Sequence, residues 1–506
     1  MNYLHSSGLW KTGLRLFCLG LLAGLVVRPA VAQVPRDQVP PVPTFPGESP
    51  VQHELSARGY GMFLHFGINT FNQTEWSDGK LPVSSYHPTQ LDPDAWVRVA
   101  KEAGFRHVVL VTKHHDGFCL WDSAVTDYDV GSSPVKTDVV AAVAKACRKY
   151  GVQLGLYYSL WDRHEPSFQD KDPEKYVAFM RAQLTELLSN YGPVCEIWLD
   201  GGWARKRADW NIPSVYRLIH QLQPGCAVTV NHTIGVHPNA NKIGQPKDFA
   251  EGDVVRFWPV DFRTKDPNFA RSDDPKYYSV GDARYYLPFE HTICLSDRWN
   301  WFQKKDVVPA RPVAELEEIF YWGTANGNAL LINVPPDQTG RQRANEVQAV
   351  LQLADRLGIR GGDKPLPARG PNLLERASVN PTNAVAAVDT SIETSWRAAE
   401  TNATLMITPA QPITFDRLSL VETADMKDLG DGFSQERHYR VEGFTIEVRT
   451  EAGWNQIYAG QGIGATLSLK LPRTTASALR LTVLAASGLP GFDHIGAYDS
   501  RDFHQR

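Results

Sequence analysis

Short apolar runs alternate with amphipathic segments from Gly59 to Arg360, and that alternation limits the possible folds more than any other feature of the chain. Gly61-Met-Phe-Leu-His65, His107-Val-Val-Leu-Val-Thr112, Val152-Gln-Leu-Gly-Leu-Tyr157 and Val194-Cys-Glu-Ile-Trp-Leu199 read as buried strands. Between them, Asp94 to Ala103, Asp138 to Tyr150 and Glu174 to Tyr191 carry apolar residues at helical spacing. They stop at Gly104, Gly151 and Gly192, as helices ended by a C-cap glycine do. Repeated βα units require a parallel sheet covered by helices. A stretch of roughly 300 residues suits an α/β fold of the (β/α)8-like barrel type, for which ~250 residues are typical. A doubly wound sheet is the alternative, but no G-x-G-x-x-G follows an early strand.

The pattern changes after residues 361–371, a Gly/Pro-rich stretch that reads as a linker. From 372 to 506, runs such as Ala403 to Thr408, Phe444 to Arg449, Leu467 to Leu471 and Leu479 to Val483 predict an all-β sandwich. At the other end, Lys11 and Arg15 precede the apolar run Leu16 to Val27, and Ala30-Val31-Ala32 follows. Residues 1–32 therefore read as a signal peptide cut after Ala32, with a secreted or periplasmic product. The apolar run is shorter than the ~20 residues that span a bilayer, which disfavours a membrane anchor. Residues 33–58 form a Pro-rich lead-in to the barrel at 59–360. Lys+Arg number 52 against 56 Asp+Glu, so no basic field favours a nucleic-acid partner. The six cysteines have no C-x-x-C spacing, which excludes a disulfide scaffold or a zinc-finger pattern.

In such a barrel, reactive groups sit at the C-terminal ends of strands. Asp200 directly follows an apolar run and precedes two glycines. Trp198 points to the same strand face, because the side-chain period is two. A carboxylate beside an aromatic ring suits glycosidic chemistry, which needs a second, protonated carboxyl. Glu251, Asp261, Asp282, Glu290 and Asp297 are the candidates. Glu290 lies in an apolar aromatic setting that favours the protonated form. Its structural alternative is a buried ion pair. His65, His114, His115 and Lys113 can hydrogen-bond a polyol, and Glu75-Trp76 extends that character. The histidines could instead hold a metal, but neighbours on a strand face opposite ways unless the strand has ended.

Met62-Phe-Leu-His-Phe-Gly67, Glu75-Trp76, Thr112-Lys-His-His-Asp-Gly-Phe118, Leu156-Tyr-Tyr-Ser159, Glu196-Ile-Trp-Leu-Asp-Gly-Gly202 and Asn328 to Asp337 together resemble glycoside hydrolase family 29, the α-L-fucosidases. The resemblance implies an exo-acting retaining hydrolase that releases terminal L-fucose from a fucosylated oligosaccharide or glycoconjugate. No cofactor and no metal are expected. Asp200 matches the nucleophile. His65, Glu75, Trp76, His114, His115, Tyr158 and Trp198 match positions that hold the fucose. The run Leu287-Pro-Phe-Glu290 to Trp301-Phe302 is similar to an element of the subgroup preferring α-1,3/1,4 linkages, which implies Glu290 as acid/base. Asp253-Val-Val-Arg-Phe257 resembles an Arg-containing run before the acid/base, which adds Arg256 as a weaker substrate contact. Residues from 383 resemble a discoidin-like sandwich. The rival readings are a metal-dependent hydrolase on the same barrel and a non-catalytic fucose-binding protein.

Overall fold

A computed structural model of the chain describes residues 47–234, 254–265, 275–296, 299, 301–302, 309–389, 394–428 and 435–505. The signal-peptide segment and residues 33–46 of the lead-in lie outside the described residues. Eight parallel strands form one sheet: β1 (Tyr60–Leu64), β2 (His107–Lys113), β3 (Gln153–Ser159), β4 (Glu196–Asp200), β5 (Ala227–Val230), β6 (Arg263–Lys265), β7 (Phe289–Cys294) and β8 (Ala329–Asn333). Their order is β5-β4-β3-β2-β1-β8-β7-β6. The seam between β5 and β6 has no regular ladder. It is stitched instead: Asp261 N–H donates to the Val228 carbonyl at 2.7 Å, and Val228 N–H donates back to Asp261 Oδ2 at 2.8 Å. This closes the near-barrel that the βα alternation predicts.

The longer helices are α1 (Pro50–Arg58), α2 (Pro93–Glu102), α3 (Val139–Tyr150), α4 (Pro173–Asn190), α5 (Ile212–Leu222), α6 (Val313–Gly323) and α7 (Ala344–Leu357), with a single turn at Ile68–Asn72. Asp92, Asp138 and Asp172 cap α2, α3 and α4 by accepting backbone N–H bonds from Ala95, Ala141 and Glu174. Gly151 takes the left-handed conformation, φ 66°, that ends α3. Outward strand residues such as Val108, Leu110, Leu156 and Ile197 pack with helix residues in one large core. A smaller inner core fills the lumen with Phe63, Val109, Val111, Tyr157, Trp198 and Leu331.

The barrel starts earlier than the sequence suggests. Residues 50–58 of the expected lead-in form α1, started by a capping box between Ser49 and Gln52. Leu55 enters the inner core, and Gln52 Nε2 donates to the Asp261 and Tyr286 carbonyls. At the N-terminal end of the strands α1 delivers Arg58, whose guanidinium donates to Glu196 Oε2 at 2.5 Å. His107 Nε2 lies 3.7 Å from Glu196 and 3.8 Å from Glu290. Gly61 and Gly155 make room for this layer. A Cβ on Gly61 would sit 2.3 Å from the His107 ring, and one on Gly155 would sit 2.8 Å from Glu196 Cγ.

Beyond the barrel, two antiparallel sheets face each other. One has five strands: Ser378–Asn380, Thr404–Thr408, Ala478–Ala486, Val441–Thr450 and Gly453–Gly460, in that order. The other has four: Trp396–Arg397, Gly491–Tyr498, Ile413–Glu422 and Leu467–Ala476. Phe415, Phe444, Val448 and Phe492 lie in the core between them. The expected linker is tied down: Pro367–Ala368 pairs with His504–Gln505, and Arg369 bonds Glu318 of α6 at 2.5 Å. The described cysteines Cys119, Cys147, Cys195, Cys226 and Cys294 are all free thiols. Among the described residues no helix is long and apolar enough to cross a membrane.

Replacing Arg58 with Met strands the buried Glu196 charge. Breaking such a pair costs about 3–5 kcal/mol, so urea unfolding should show a loss of that order. An unchanged midpoint and slope would mean that this pair does not hold the sealed layer.

Candidate active site

The C-terminal ends of the strands gather the reactive side chains. Strands β3 and β4 run in register, with Tyr157 beside Trp198 and Ser159 beside Asp200, so these four share one face. That face is the lumen. Asp200 is 6% exposed. Tyr157 Oη donates to its Oδ2 at 2.7 Å. Asn231 Nδ2 and Gly201 N–H donate to its Oδ1 at 2.9 and 2.7 Å. Burial raises its pKa, and these three donors oppose the rise. Gly201 is in the left-handed region, φ 77°, and a Cβ there would lie 2.7 Å from the Cβ of Trp161. Only glycine lets the chain turn so tightly beside the carboxylate.

The strand period corrects two expected contacts. Tyr158 faces outward, where its hydroxyl donates to Gln183 of α4 at 2.7 Å. Tyr157, one residue earlier, is the tyrosine that meets Asp200. Lys113 should share the lumen with Val109 and Val111 by parity, but the ladder slips between Val111 and Lys113. This irregularity turns the ammonium outward to Asp162 at 2.7 Å and to the Tyr158 hydroxyl at 2.9 Å. Because β2 ends there, His114 and His115 are free of strand alternation and face the same pocket. The His114 ring lies 5.9 Å from that of Tyr157, nearly parallel to it. His115 Nδ1 is 2.6 Å from Ser159 Oγ, and its Nε2 is 3.6 Å from Asp200 Oδ2.

His65, at the end of β1, has Nδ1 3.2 Å from Asn333 Oδ1 and rings of Trp299 and Trp301 at 5.1 and 5.3 Å. Burial lowers the pKa of all three histidines, with neighbouring positive groups adding to it; for His115 the value falls to about 3. Each is thus a neutral imidazole at pH 7, able to donate at one nitrogen and accept at the other, as polyol recognition requires.

Glu75 completes the pocket. Asn69 Nδ2 donates to its backbone carbonyl at 2.9 Å and to Asp116 Oδ2 at 2.7 Å, which fixes the loop. Burial pushes the Glu75 carboxyl up to about 7. A hydrogen bond from Trp299 opposes the shift, and the Asp200 charge adds to it. Trp76 is 41% exposed at the mouth, its ring 5.8 Å from that of His115. Trp198 has the expected facing but no exposure. It lies stacked against Tyr157 at 5.6 Å, a floor under the tyrosine rather than a surface for a sugar. Arg256 is nearly buried beside Phe257, whose ring lies against Gly202 in the loop after Asp200.

Glu290 is not in this pocket. It is fully buried near the start of β7, in the sealed layer with His107, Glu196 and Arg58. Glu196 and Asp200 occupy opposite ends of β4, about 13 Å apart at ~3.3 Å per residue. The apolar setting does favour the protonated form: burial and the Glu196 charge raise the Glu290 pKa well above the carboxyl range. It does so at the wrong end of the barrel. Asp261 accepts from Tyr216 and Val228 at the seam, and Asp282 lies in an exposed turn. Glu251 and Asp297 lie outside the described residues. Among the described residues, one His/carboxylate set has metal-ligand spacing. It is His107, Glu196 and Glu290 of the sealed layer, and not the pocket histidines.

The alpha-L-fucosidase family model matches residues 72–362, the part of the chain that builds most of this barrel. The chain belongs to the α-L-fucosidase family. It is a glycoside hydrolase of family 29 on a TIM-like barrel. Alpha-L-fucosidase 1 of Arabidopsis thaliana is 30% identical over 484 residues, with 90% of this chain and 88% of that one covered. The tissue alpha-L-fucosidase of Mus musculus is 25% identical over 352 residues, covering 62% and 70%. The crystal structure of SpGH29 superposes with a TM-score of 0.52 at 26% identity, covering 89% of this chain and 98% of that one. In this fucosidase the pocket gains residues that sequence reasoning missed: Tyr157, Asn231, Asn333, Trp299 and Trp301. Strand parity points to Tyr157. The rule that the C-terminal ends of strands and the loops after them carry the chemistry points to Asn333 and Asn231.

Two outcomes follow from this placement. Glu290 has a raised folded pKa. The stability it contributes is present below the unfolded carboxyl value and lost as pH rises through the folded value. Glu290→Gln mimics the protonated form, so it should keep fucosidase activity and melt no lower than wild type at pH 8. A folded variant without activity would return Glu290 to the reaction. Tyr157→Phe removes a hydrogen bond to a charged group, worth about 1.5–3 kcal/mol. It should therefore lower kcat roughly ten- to a hundredfold, whereas Tyr158→Phe should mainly lower the melting temperature.

Proposed function

We propose that the enzyme releases terminal L-fucose from fucosylated glycans with retention of configuration, Asp200 acting as nucleophile and Glu75 as proton donor. The observation that carries this is the pairing of their environments. Asp200 accepts three hydrogen bonds that favour its anion, while burial and the Asp200 charge hold Glu75 half-protonated near pH 7. One carboxyl whose anion is hydrogen-bonded, beside another that burial keeps partly protonated, fits the nucleophile and acid roles of a glycosidase. Retention by a covalent intermediate needs a carboxyl separation of about 5–5.5 Å.

Asp200 attacks the anomeric carbon as the glycosidic C–O bond breaks, and Glu75 gives its proton to the leaving oxygen. The Glu75 carboxylate then takes a proton from water. That water opens the fucosyl–Asp200 ester, releases L-fucose and restores both groups. His65, His114 and His115 hold the fucose hydroxyls, with Trp76 at its rim. The leader-like residues 1–32 support export, and the two-sheet C-terminal unit is in keeping with a discoidin-like module.

Asp200→Ala should abolish turnover with the fold intact. Glu75→Ala should slow fucosylated oligosaccharides at least ~10²-fold, in line with general acid catalysis, and an activated aryl fucoside far less. Wild-type kcat/KM on oligosaccharides should fall as pH rises through about 7, where Glu75 loses its proton, and this limb should vanish in Glu75→Ala with the aryl fucoside. Equal losses on both substrates, with the alkaline limb retained, would remove Glu75 from the donor role.

A further inference from the structure

Two tryptophans outside the fucose-holding set flank the reacting carboxylate. Trp161 follows β3 by two residues, and Trp203 follows Asp200 by three. Both are partly exposed, whereas Asp200 is buried beneath them. Their rings stand at 5.3 and 5.6 Å from the ring of His115, whose Nε2 is 3.6 Å from Asp200 Oδ2. Trp161 also meets Trp76 edge to face at 5.8 Å. The three indoles thus form an aromatic wall around the mouth of a pocket whose base is the carboxylate.

The wall is built rather than incidental. Trp161 closes on the Asp200 loop because residue 201 has no side chain. Leu160 N–H donates to the Asp200 carbonyl at 2.7 Å, locking the two strand ends together. The Arg163 guanidinium lies 4.1 Å above the Trp161 ring, and its Nη1 donates to the Ser77 carbonyl at 2.7 Å. This covers one face of the indole with a cation–π contact and fixes the plane of the ring. On the other flank, His232 adopts φ 60°, a left-handed conformation uncommon for a side-chain-bearing residue, and its ring meets Trp203 edge to face at 5.3 Å. Strain of this kind persists where the surroundings hold it in place.

We propose that Trp161 and Trp203 seat the sugar that leaves, a pyranose whose C–H face packs on an indole while its hydroxyls stay in water. This rests on the reading of Asp200 as the reacting carboxylate. The exo reaction buries the fucose ring, so the next unit of the glycan must lie at the mouth, where the described residues present flat aromatic surface.

The test compares a fucosylated trisaccharide with α-L-fucosyl fluoride, whose leaving group is too small to reach the wall. For Trp161→Ala and Trp203→Ala, kcat/KM should fall on the trisaccharide at least about tenfold more than on the fluoride, a stacking-sized loss. The fall should be carried by KM. Trp161→Phe should recover part of it. Equal losses on the two substrates would make the tryptophans positioning residues and overturn the seat, as would an unaltered trisaccharide rate. Wild-type enzyme inert toward both substrates would instead overturn the reading of Asp200 itself, and the seat with it.

Discussion

A single short strand separates two carboxylates that share one dry barrel interior. Glu196 opens β4 and Asp200 closes it, with Trp198 between them. Neither charge is tolerable there alone, because desolvating an unpaired carboxylate costs several kcal/mol. The lower one is answered by the Arg58 guanidinium, brought in by a helix that precedes the first strand. The upper one is answered by neutral donors, Tyr157, Asn231 and the Gly201 amide. That difference divides the molecule's electrostatics. A full positive charge at the base consumes Glu196 in structure, whereas the neutral donors at the mouth favour the Asp200 anion against the burial that opposes it.

The remaining features of the mouth depend on that arrangement. Trp198 supports Tyr157 from below, so the tyrosine hydroxyl is fixed where it meets Asp200. The Asp200 charge in turn helps hold a proton on Glu75. Asp116 acts at one remove: it holds Asn69, and Asn69 holds the Glu75 backbone. Burial pushes the Asp116 carboxyl up to about 7, so this brace is itself sensitive to pH near neutrality. The three neutral histidines add hydrogen-bonding capacity to the pocket without adding charge that would compete with the carboxylates.

The elements were legible because periodicity is a local property. Asp138 to Tyr150 declared a helix through its apolar spacing and its capping glycine, and the structure places α3 at Val139–Tyr150. The place of Asp200 at the end of β4 was legible for a similar reason, as an acid directly after an apolar run and before two glycines. Tyr158 and Lys113 were misjudged. Two adjacent tyrosines look alike in a motif, and an irregularity in a strand leaves no mark in composition. Glu290 was misjudged differently. Its aromatic surroundings did signal burial and a raised pKa, but those signals are the same at either end of a barrel.

The sequence by itself determined the two-part architecture and the strand ends at which polar side chains gather, since each follows from residue type and spacing along the chain. The tertiary structure alone decided which face each side chain takes and at which level of the lumen it sits. Those depend on register between strands distant in sequence: Ser159 beside Asp200, and Glu290 beside Ala329. Register is fixed by packing and hydrogen bonding across the closed sheet, so it cannot be read from any one segment.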